Sequence, residues 1–489
     1  MMKQRTYTIM AAALLTAGAL LSTACSSEDA VIDNIGQPAE GRAIQFTATL
    51  APKGGASRGQ SRAGSNFGEA QPALAEGKDD DGTTTRAITK DKDGENKEIL
   101  NVAWSEGEEI AVYYEKTDGT FDYRTARVNA VDGETGEASI SATLTDAKGG
   151  EARFVYPATL HNGEGDIDEQ KLLTTQRGIL THSGSGTDYS ISKRFDAATA
   201  TGTIVVTGSG ASVSGTLSLT NRVCICKMTF SEEGVGMINA LEHVDIHIDG
   251  RTYSITPSKY SADKCIYVAM LPVSGSDALF GAYNSGMASG TVTTYGDNYV
   301  KLARNVTLEA GKFYRNIPIT CVRATEYTGS RTTPILPTLG AVILNNVTVN
   351  TSDNAFNIPG SDARFTDNFI IVLKGNNIIT STTQCCAGIF GPSVTRNLTI
   401  GGNGSLTATA GPQKPASGER GAAIGGDTGI IEVGTIYIHG TIASLKANGG
   451  IGATSNTSCQ GVIIDGVANP TSESTYPHLT RSGDTWTHK

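Results

Sequence analysis

After Arg331 one unit keeps returning: a short apolar run, an Asn or Gly, often a second strand pattern, and then, in several units, a corner of small residues. The runs Ala341-Val342-Ile343-Leu344, Phe369 to Leu373, Asn397-Leu398-Thr399-Ile400 and Thr435-Ile436-Tyr437-Ile438 begin units about 27 to 38 residues apart. Corners follow at Ala387 to Gly391, Ala422 to Gly426 and Gly449 to Ala453. A unit this short cannot bury its own apolar face, so repetition at a near-fixed period predicts stacking into a solenoid. Glycine serves at corners where φ must be positive. The spacing predicts a short right-handed parallel β-helix of about four coils over residues 331–489, with an insertion at Gly411 to Gly418.

Before the repeat the pattern is that of an all-β sandwich. Ala43 to Leu50 alternates apolar and polar residues and predicts one half-buried strand after a polar tether at 25–42. Residues 51–98 hold almost no large apolar side chain and are expected to form a mobile, protease-accessible loop. Order is expected to resume at Val102-Ala103-Trp104. Short strands then recur to about residue 320, including Val223 to Phe230 and the strictly alternating Val244 to Asp249. The Gly/Ser-rich Thr207 to Gly215 predicts a boundary near 210, giving bodies at 43–210 and 211–325.

Charge and cysteine narrow the function. The net charge is −10. Acids and bases balance from Arg331 onward, so all of it lies in residues 1–330. No basic cluster offers a phosphate track, which argues against nucleic acid as a partner. Beyond Cys25 there are seven cysteines, an odd number, so at least one is unpaired or pairs between chains. Cys224 and Cys226 face the same way in a strand, but nothing nearby completes a metal tetrahedron, and buried thiols are the simpler expectation. The histidines show no metal spacing, and no cofactor is expected.

The chain opens with Lys3 and Arg5, then the apolar Ile9 to Leu21, too short to span a bilayer and suited to a secretory signal. Leu21-Ser22-Thr23-Ala24-Cys25 resembles the lipobox of bacterial lipoproteins, with Ser22 where an aliphatic residue is commoner. The resemblance implies removal of residues 1–24 and a lipid on Cys25. Ser26-Ser27-Glu28-Asp29 is similar to an acidic export tag for the outer face of the outer membrane.

Trp104-Ser105-Glu106-Gly107-Glu108-Glu109-Ile110-Ala111-Val112-Tyr113 resembles the W-x-x-G-D-x-I-x-V-Y pattern of the fimbrillin family, the subunits of type V pili, with Glu108 in place of Asp. Tyr267 to Val273 and Thr307 to Tyr314 are similar to that family's late strands, and Thr85-Arg86-Ala87 to its processing site. The resemblance covers about residues 30–325. It implies two tandem transthyretin-like β-sandwiches and cleavage between Arg86 and Ala87 by an Arg-specific protease, with Arg42, Arg58 and Arg62 as competing sites. It further implies loss of the first strand and its replacement by a strand of another pilus subunit.

The repeat region resembles β-helical, carbohydrate-binding-type repeats of bacterial surface proteins, which implies a glycan or host-surface ligand. Candidate ring platforms are Phe390, Tyr437, Tyr476 and Trp486. The simpler expectation is that Phe390 is core packing at a corner and that Tyr476 and Trp486 cap the open end. Parallel β-helices also host lyases and hydrolases, which need paired carboxylates or an acidic cation site with a base. Asp353, Asp362, Asp367, Asp427 and Asp465, with Arg364, Arg396 or Arg420, are scattered at turn positions and do not recur at the coil period. The expected protein is a non-enzymatic, surface-exposed lipoprotein, a pilus tip or accessory adhesin with the β-helix as its ligand-contacting domain. The alternatives are a non-polymerising glycan-binding or glycan-degrading lipoprotein and a purely structural one.

Overall fold

The computed structural model describes residues 42–51, 88–92, 98–181, 189–239, 241–258, 264–284, 298–358, 368–391, 396–427, 432–452 and 458–489. Cys25, the signal region and Arg86-Ala87 lie outside the described residues. The fold is all-β. Strand β1 (Ala43–Leu50) alternates as its sequence requires, with Ile44, Phe46, Ala48 and Leu50 buried. The pair β2 (Ile88–Lys92) and β3 (Glu98–Val102) forms an antiparallel hairpin inside part of the stretch expected to be a loop. Its backbone ladder supplies what the polar sequence does not advertise.

Next come β4 (Glu109–Lys116), β5 (Phe121–Val131), β6 (Ala138–Thr145), β7 (Ala147–Tyr156), β8 (Ala198–Thr207) and β9 (Gly210–Leu217). They hydrogen-bond in the order β8-β7-β4-β5-β6-β1-β9, and β9 pairs again with β8, so the sheet closes as a barrel. Its interior holds Phe46, Trp104, Ile110, Tyr114, Phe154 and Leu217. Thr207 to Gly215 is therefore not a linker. It is the turn and second strand of the β8–β9 hairpin, with Ala211, Val213 and Leu217 facing in. The sequence signal misleads because a tight turn and a linker both favour glycine and serine.

The boundary falls instead after β10 (Thr220–Asn221), which still pairs with β8. Strand β11 (Cys224–Glu232) begins the second body, followed by β12 (Gly236–Met237), β13 (Leu241–Ile248), β14 (Arg251–Ile255), β15 (Ile266–Met270), β16 (Val273–Asn284), β17 (Asn298–Leu308) and β18 (Phe313–Arg331). One layer sets β11 between β15 and the first half of β18. The other runs β14-β13-β16-β17. Cys226, Phe230, Ile246, Tyr253, Phe280 and Ile319 fill the space between them.

The same core takes Leu160, Leu172, Ile191 and Phe195 from the excursion between β7 and β8, and Ala111 and Val155 from the barrel strands. Buried Gln176 fastens that excursion to β15. Its Nε2 donates to the Ala269 carbonyl (2.8 Å), and its Oε1 accepts from the Ala269 amide (2.8 Å). A buried amide offsets its desolvation cost only when paired this way.

Strand β18 does not stop near 325. It leaves β11, pairs briefly with β17, and then runs parallel to β19 (Ala341–Thr351). The expected break between sandwich and repeat is a continuous strand. Beyond it lie β20 (Phe356–Asn357), β21 (Asn368–Lys374), β22 (Asn376–Ser381), β23 (Ile389–Phe390), β24 (Asn397–Gly402), β25 (Ser405–Thr409), β26 (Ile424–Gly425), β27 (Glu432–Val433), β28 (Ile436–Ile438), β29 (Ser444–Asn448), β30 (Ile451–Gly452), β31 (Ser458–Cys459), β32 (Val462–Ile464), β33 (Val467–Ala468), β34 (Leu479–Ser482) and β35 (Thr485–His488).

These strands stack in parallel ladders, β19-β21-β24-β28-β32, β19-β22-β25-β29 and β20-β23-β26-β30. In the first ladder Val342, Ile371, Ile400, Ile438 and Ile464 are successive register partners, all buried. The last hairpin, β34–β35, turns antiparallel against β29 and covers the end of the stack.

Candidate functional site

The feature with the most chemical consequence is the seat of β1. On one side it lies parallel to β9, with Phe46 opposite Ala211 and Leu50 opposite Leu217. On the other it hydrogen-bonds to β6, and the Gln45 side chain donates to Thr143 Oγ1 (3.1 Å). Phe46 meets the Phe154 ring at 6.2 Å between centroids. The strand is thus held by backbone on both edges and by alternate apolar side chains sunk in the barrel.

The W-x-x-G-E segment anchors the end of that seat. Trp104 is buried, meets Tyr156 edge-on at 5.3 Å, and donates through its indole N–H to the Ala51 carbonyl (2.9 Å). Glu108 accepts from the Tyr156 hydroxyl (2.6 Å) and the Ser105 amide (3.0 Å). This longer carboxylate closes the turn around Gly107. The tie from Trp104 to the residue after β1 is not legible in sequence, since nothing local pairs positions 51 and 104.

Magnitudes show what losing β1 does. Burying Ile44, Phe46 and Leu50 is worth roughly 1.5–3 kcal/mol each, an upper figure given residual burial in the unfolded chain. Their sum is comparable with the whole stability of a typical domain, about 5–15 kcal/mol. A barrel without β1 would have an apolar slot and two unpaired strand edges, a loss of stability that another strand in the slot would offset.

Of the candidate ring platforms of the stack, three take the core or cap placement that the sequence also offered. Tyr476 and Trp486 are buried in its core, and Arg481 lies 5.0 Å from the Trp486 ring, so both cap the open end. Phe390 is also buried. Tyr437 is half-buried with the Arg304 guanidinium 3.8 Å from its ring centre, which occupies one face. Alternation along a strand shows which residues share a face, but not what a distant strand lays over it.

The acids of the stack are engaged in structure. Asp465 is buried and accepts from the His478 and Leu479 amides (2.6 and 3.0 Å), tying β32 to the terminal hairpin. Asp427 accepts from the Asn354 side chain (3.2 Å), and Asp353 from the Asn354 amide (2.7 Å). Arg420 donates to the Asn448 carbonyl (3.2 Å). Arg396 is half-buried where β24 begins, while Asp362, Arg364 and Asp367 lie outside the described residues. Cys224 and Cys226 present their Sγ atoms 3.9 Å apart in the second core. Burial pushes the Cys226 thiol well up and the Cys321 thiol to about 12, so both are small apolar fillers at neutral pH. Among the described residues no cluster of His, Cys, Asp or Glu suits a metal ion, and no helix is long and apolar enough to cross a membrane.

No family model matches the chain, and no curated protein does. Solved structures similar to it include fimbrial and candidate cell adhesion proteins. A fimbrial protein from Bacteroides ovatus ATCC 8483 is 14% identical over 45% of this chain and 45% of its own length, at a TM-score of 0.20. A candidate cell adhesion protein from Bacteroides fragilis NCTC 9343 is 13% identical over 57% of this chain and 93% of its own, at 0.28. A fimbrial assembly protein from Parabacteroides distasonis ATCC 8503 is 9% identical over 58% and 95%, at 0.25. The chain thus spans less than half the length of the first of these.

Proposed function

We propose that this chain is a surface-exposed, lipid-anchored, fimbrillin-like adhesin subunit whose first strand is exchanged for a strand of a neighbouring subunit. The seat of β1 carries the proposal: a cleanly alternating strand, bound on both edges, whose link to the rest of the chain passes through Arg86. Arg-specific cleavage there frees the Cys25 lipid and β1 together and leaves Ala87 as the new N-terminus. A partner strand then pairs with β6 and β9 and places apolar side chains where Ile44, Phe46, Ala48 and Leu50 sat. Backbone bonds supply affinity and the alternate pockets supply selectivity.

In this reading the barrel and the two-layer body are the tandem sandwiches of the family. The stack is a short right-handed parallel β-helix that makes the ligand contact of a tip or accessory subunit. Contact through its sides uses Asn, Thr and backbone groups, because Tyr476 and Trp486 face the core. The reading is non-enzymatic: Asp465 and Asp427 already hold parts of the stack together.

N-terminal sequencing of protein extracted from the cell surface tests it. Ala87 at the start is expected, whereas lipidated Cys25 alone would rule out strand exchange by this route. Immunogold label confined to fibre ends is expected of a tip subunit, and even label along the shaft contradicts that position.

A further inference from the structure

Among the described residues, the most exposed aromatic rings lie on the barrel. Phe121 and Tyr123 are two apart on β5 and share its outer face, at 57% and 43% exposure. Phe121 stacks on Tyr113 of β4 at 5.3 Å and 7° between planes, and Tyr123 lies 4.5 Å from the His161 ring. A cleft of about 250 Å³ lined by Tyr113, Phe121 and Glu164 continues past Glu151 and Arg153 into one of about 510 Å³ lined by Asp166, Thr199 and Arg222.

The walls are constructed for close approach. Gly165 sits at φ +85°, and a Cβ there would meet the Tyr113 ring at 2.7 Å and the Arg153 stem at 2.9 Å. Only glycine lets that loop lie so near. The His161 ring faces the Gly163 and Gly165 amides (3.2 and 3.1 Å) from inside the loop. Arg222 is held by Asp166 (3.0 Å) and Thr199 (3.3 Å). The side chains of Glu151 and Arg153, neighbours on one face of β7, make no hydrogen bond or ion pair among the described residues.

The chemistry selects the occupant. Acids outnumber bases along the cleft, Glu115, Glu151, Glu164 and Asp166 against Arg153 and Arg222, so it lacks the positive field that a phosphate chain needs, and among the described residues its acids do not gather into a cation site. An aliphatic ligand needs a closed apolar pocket, and this cleft is open and polar-walled. A sugar ring offers a flat C–H face to an aromatic ring and a rim of hydroxyls that donate to carboxylates and accept from guanidinium groups. We propose that the cleft binds a saccharide, with a sugar face on Phe121 and its hydroxyls on Glu151 and Arg153.

Calorimetry and saturation-transfer NMR on the full chain test this, with mannopentaose, cellopentaose, chitopentaose and N-acetyllactosamine as probes. At least one is expected to bind with a Kd of about 1 mM or tighter. Phe121→Ala and Arg153→Ala should each weaken it about tenfold or more, with the cooperative thermal transition kept, because neither side chain is buried. Gly165→Ala should weaken binding by crowding Tyr113 and Arg153, without removing any group offered to the sugar. Absence of binding by every probe up to about 10 mM overturns the proposal. Binding lost in Tyr437→Ala but kept in Phe121→Ala also overturns it, by placing the contact on the stack. The barrel strand need not be exchanged for this result, so failure of that reading is seen separately.

Discussion

Phe46 and Trp104 show how much of the β1 seat rests on single side chains. Phe46 is fully buried against Phe154, so Phe46→Ala should cost about 3–5 kcal/mol, read as a lower urea midpoint. Trp104→Phe keeps an aromatic ring but removes the donor to the Ala51 carbonyl and part of a buried side chain, which should cost at least about 1 kcal/mol in the same titration. Titration of buried histidines sets a pH dependence. Burial pushes His247 down to about 4, aided by the Lys374 charge and opposed by Asp245. Burial likewise lowers His161 and His439. His439 Nε2 lies 2.9 Å from the Ala303 carbonyl and Nδ1 2.9 Å from the Thr441 hydroxyl, contacts that the neutral ring protonated at Nε2 satisfies. All three have folded values below the unfolded value of about 6.5, so the unfolded chain binds more protons below that pH. Stability is therefore full above about 6.5 and falls as pH drops toward 4. For His247 alone the loss approaches about 3 kcal/mol. Urea midpoints at descending pH should fall through that window, and His247→Gln should flatten the curve.

At the scale of elements the stack depends on its corners and its end. Gly425 sits at φ +138°, and a Cβ there would meet the Gly452 carbonyl of the next coil. Gly425→Ala should cost at least the roughly 1–3 kcal/mol of a strained backbone position, and protease cuts in the stack should appear before cuts in the barrel. Deleting β34–β35 removes Trp486 and bares the last coil. The expected outcome is soluble aggregate on size exclusion, because solenoids need a cap. The elements also show what a sequence carries. The apolar runs of 341–344, 369–373, 397–400 and 435–438 were legible as stacked units because burial repeats the same residue type at the same register. β1 was legible because its alternation is strict. The β8–β9 hairpin and the length of β18 depend on contacts made far along the chain, which local pattern does not encode. The exposed Phe121 and Tyr123 did leave a signal, two aromatics spaced for one strand face, but the cleft beside them is assembled from β7, β8 and the loop at Gly165.

For the whole molecule, the arrangement of cores decides how far the release of β1 is felt. The barrel interior is a separate apolar cluster, yet Ala111 of β4 and Val155 of β7 turn outward into the core of the second body. Strand β18 in turn belongs to both layers of that body and to the stack. Loss of β1 should therefore loosen β6 and β9, the strands it touches, while β4, β7 and everything beyond Cys224 keep their support. Hydrogen exchange on the full chain before and after cleavage at Arg86 measures this. Protection should fall in Ala138–Thr145 and Gly210–Leu217 and hold in Cys224–Glu232. A synthetic peptide matching Ala43–Leu50 should restore it, at a concentration of about 1 mM or more. Ordering each backbone residue costs roughly 1–2 kcal/mol, which offsets most of what the apolar side chains return. The same peptide carrying Phe46→Ala should fail, because it keeps the backbone partners but leaves the largest pocket empty. If that variant restores protection equally well, the slot recognises any extended strand, and the alternating side chains of β1 play no part in selecting its replacement.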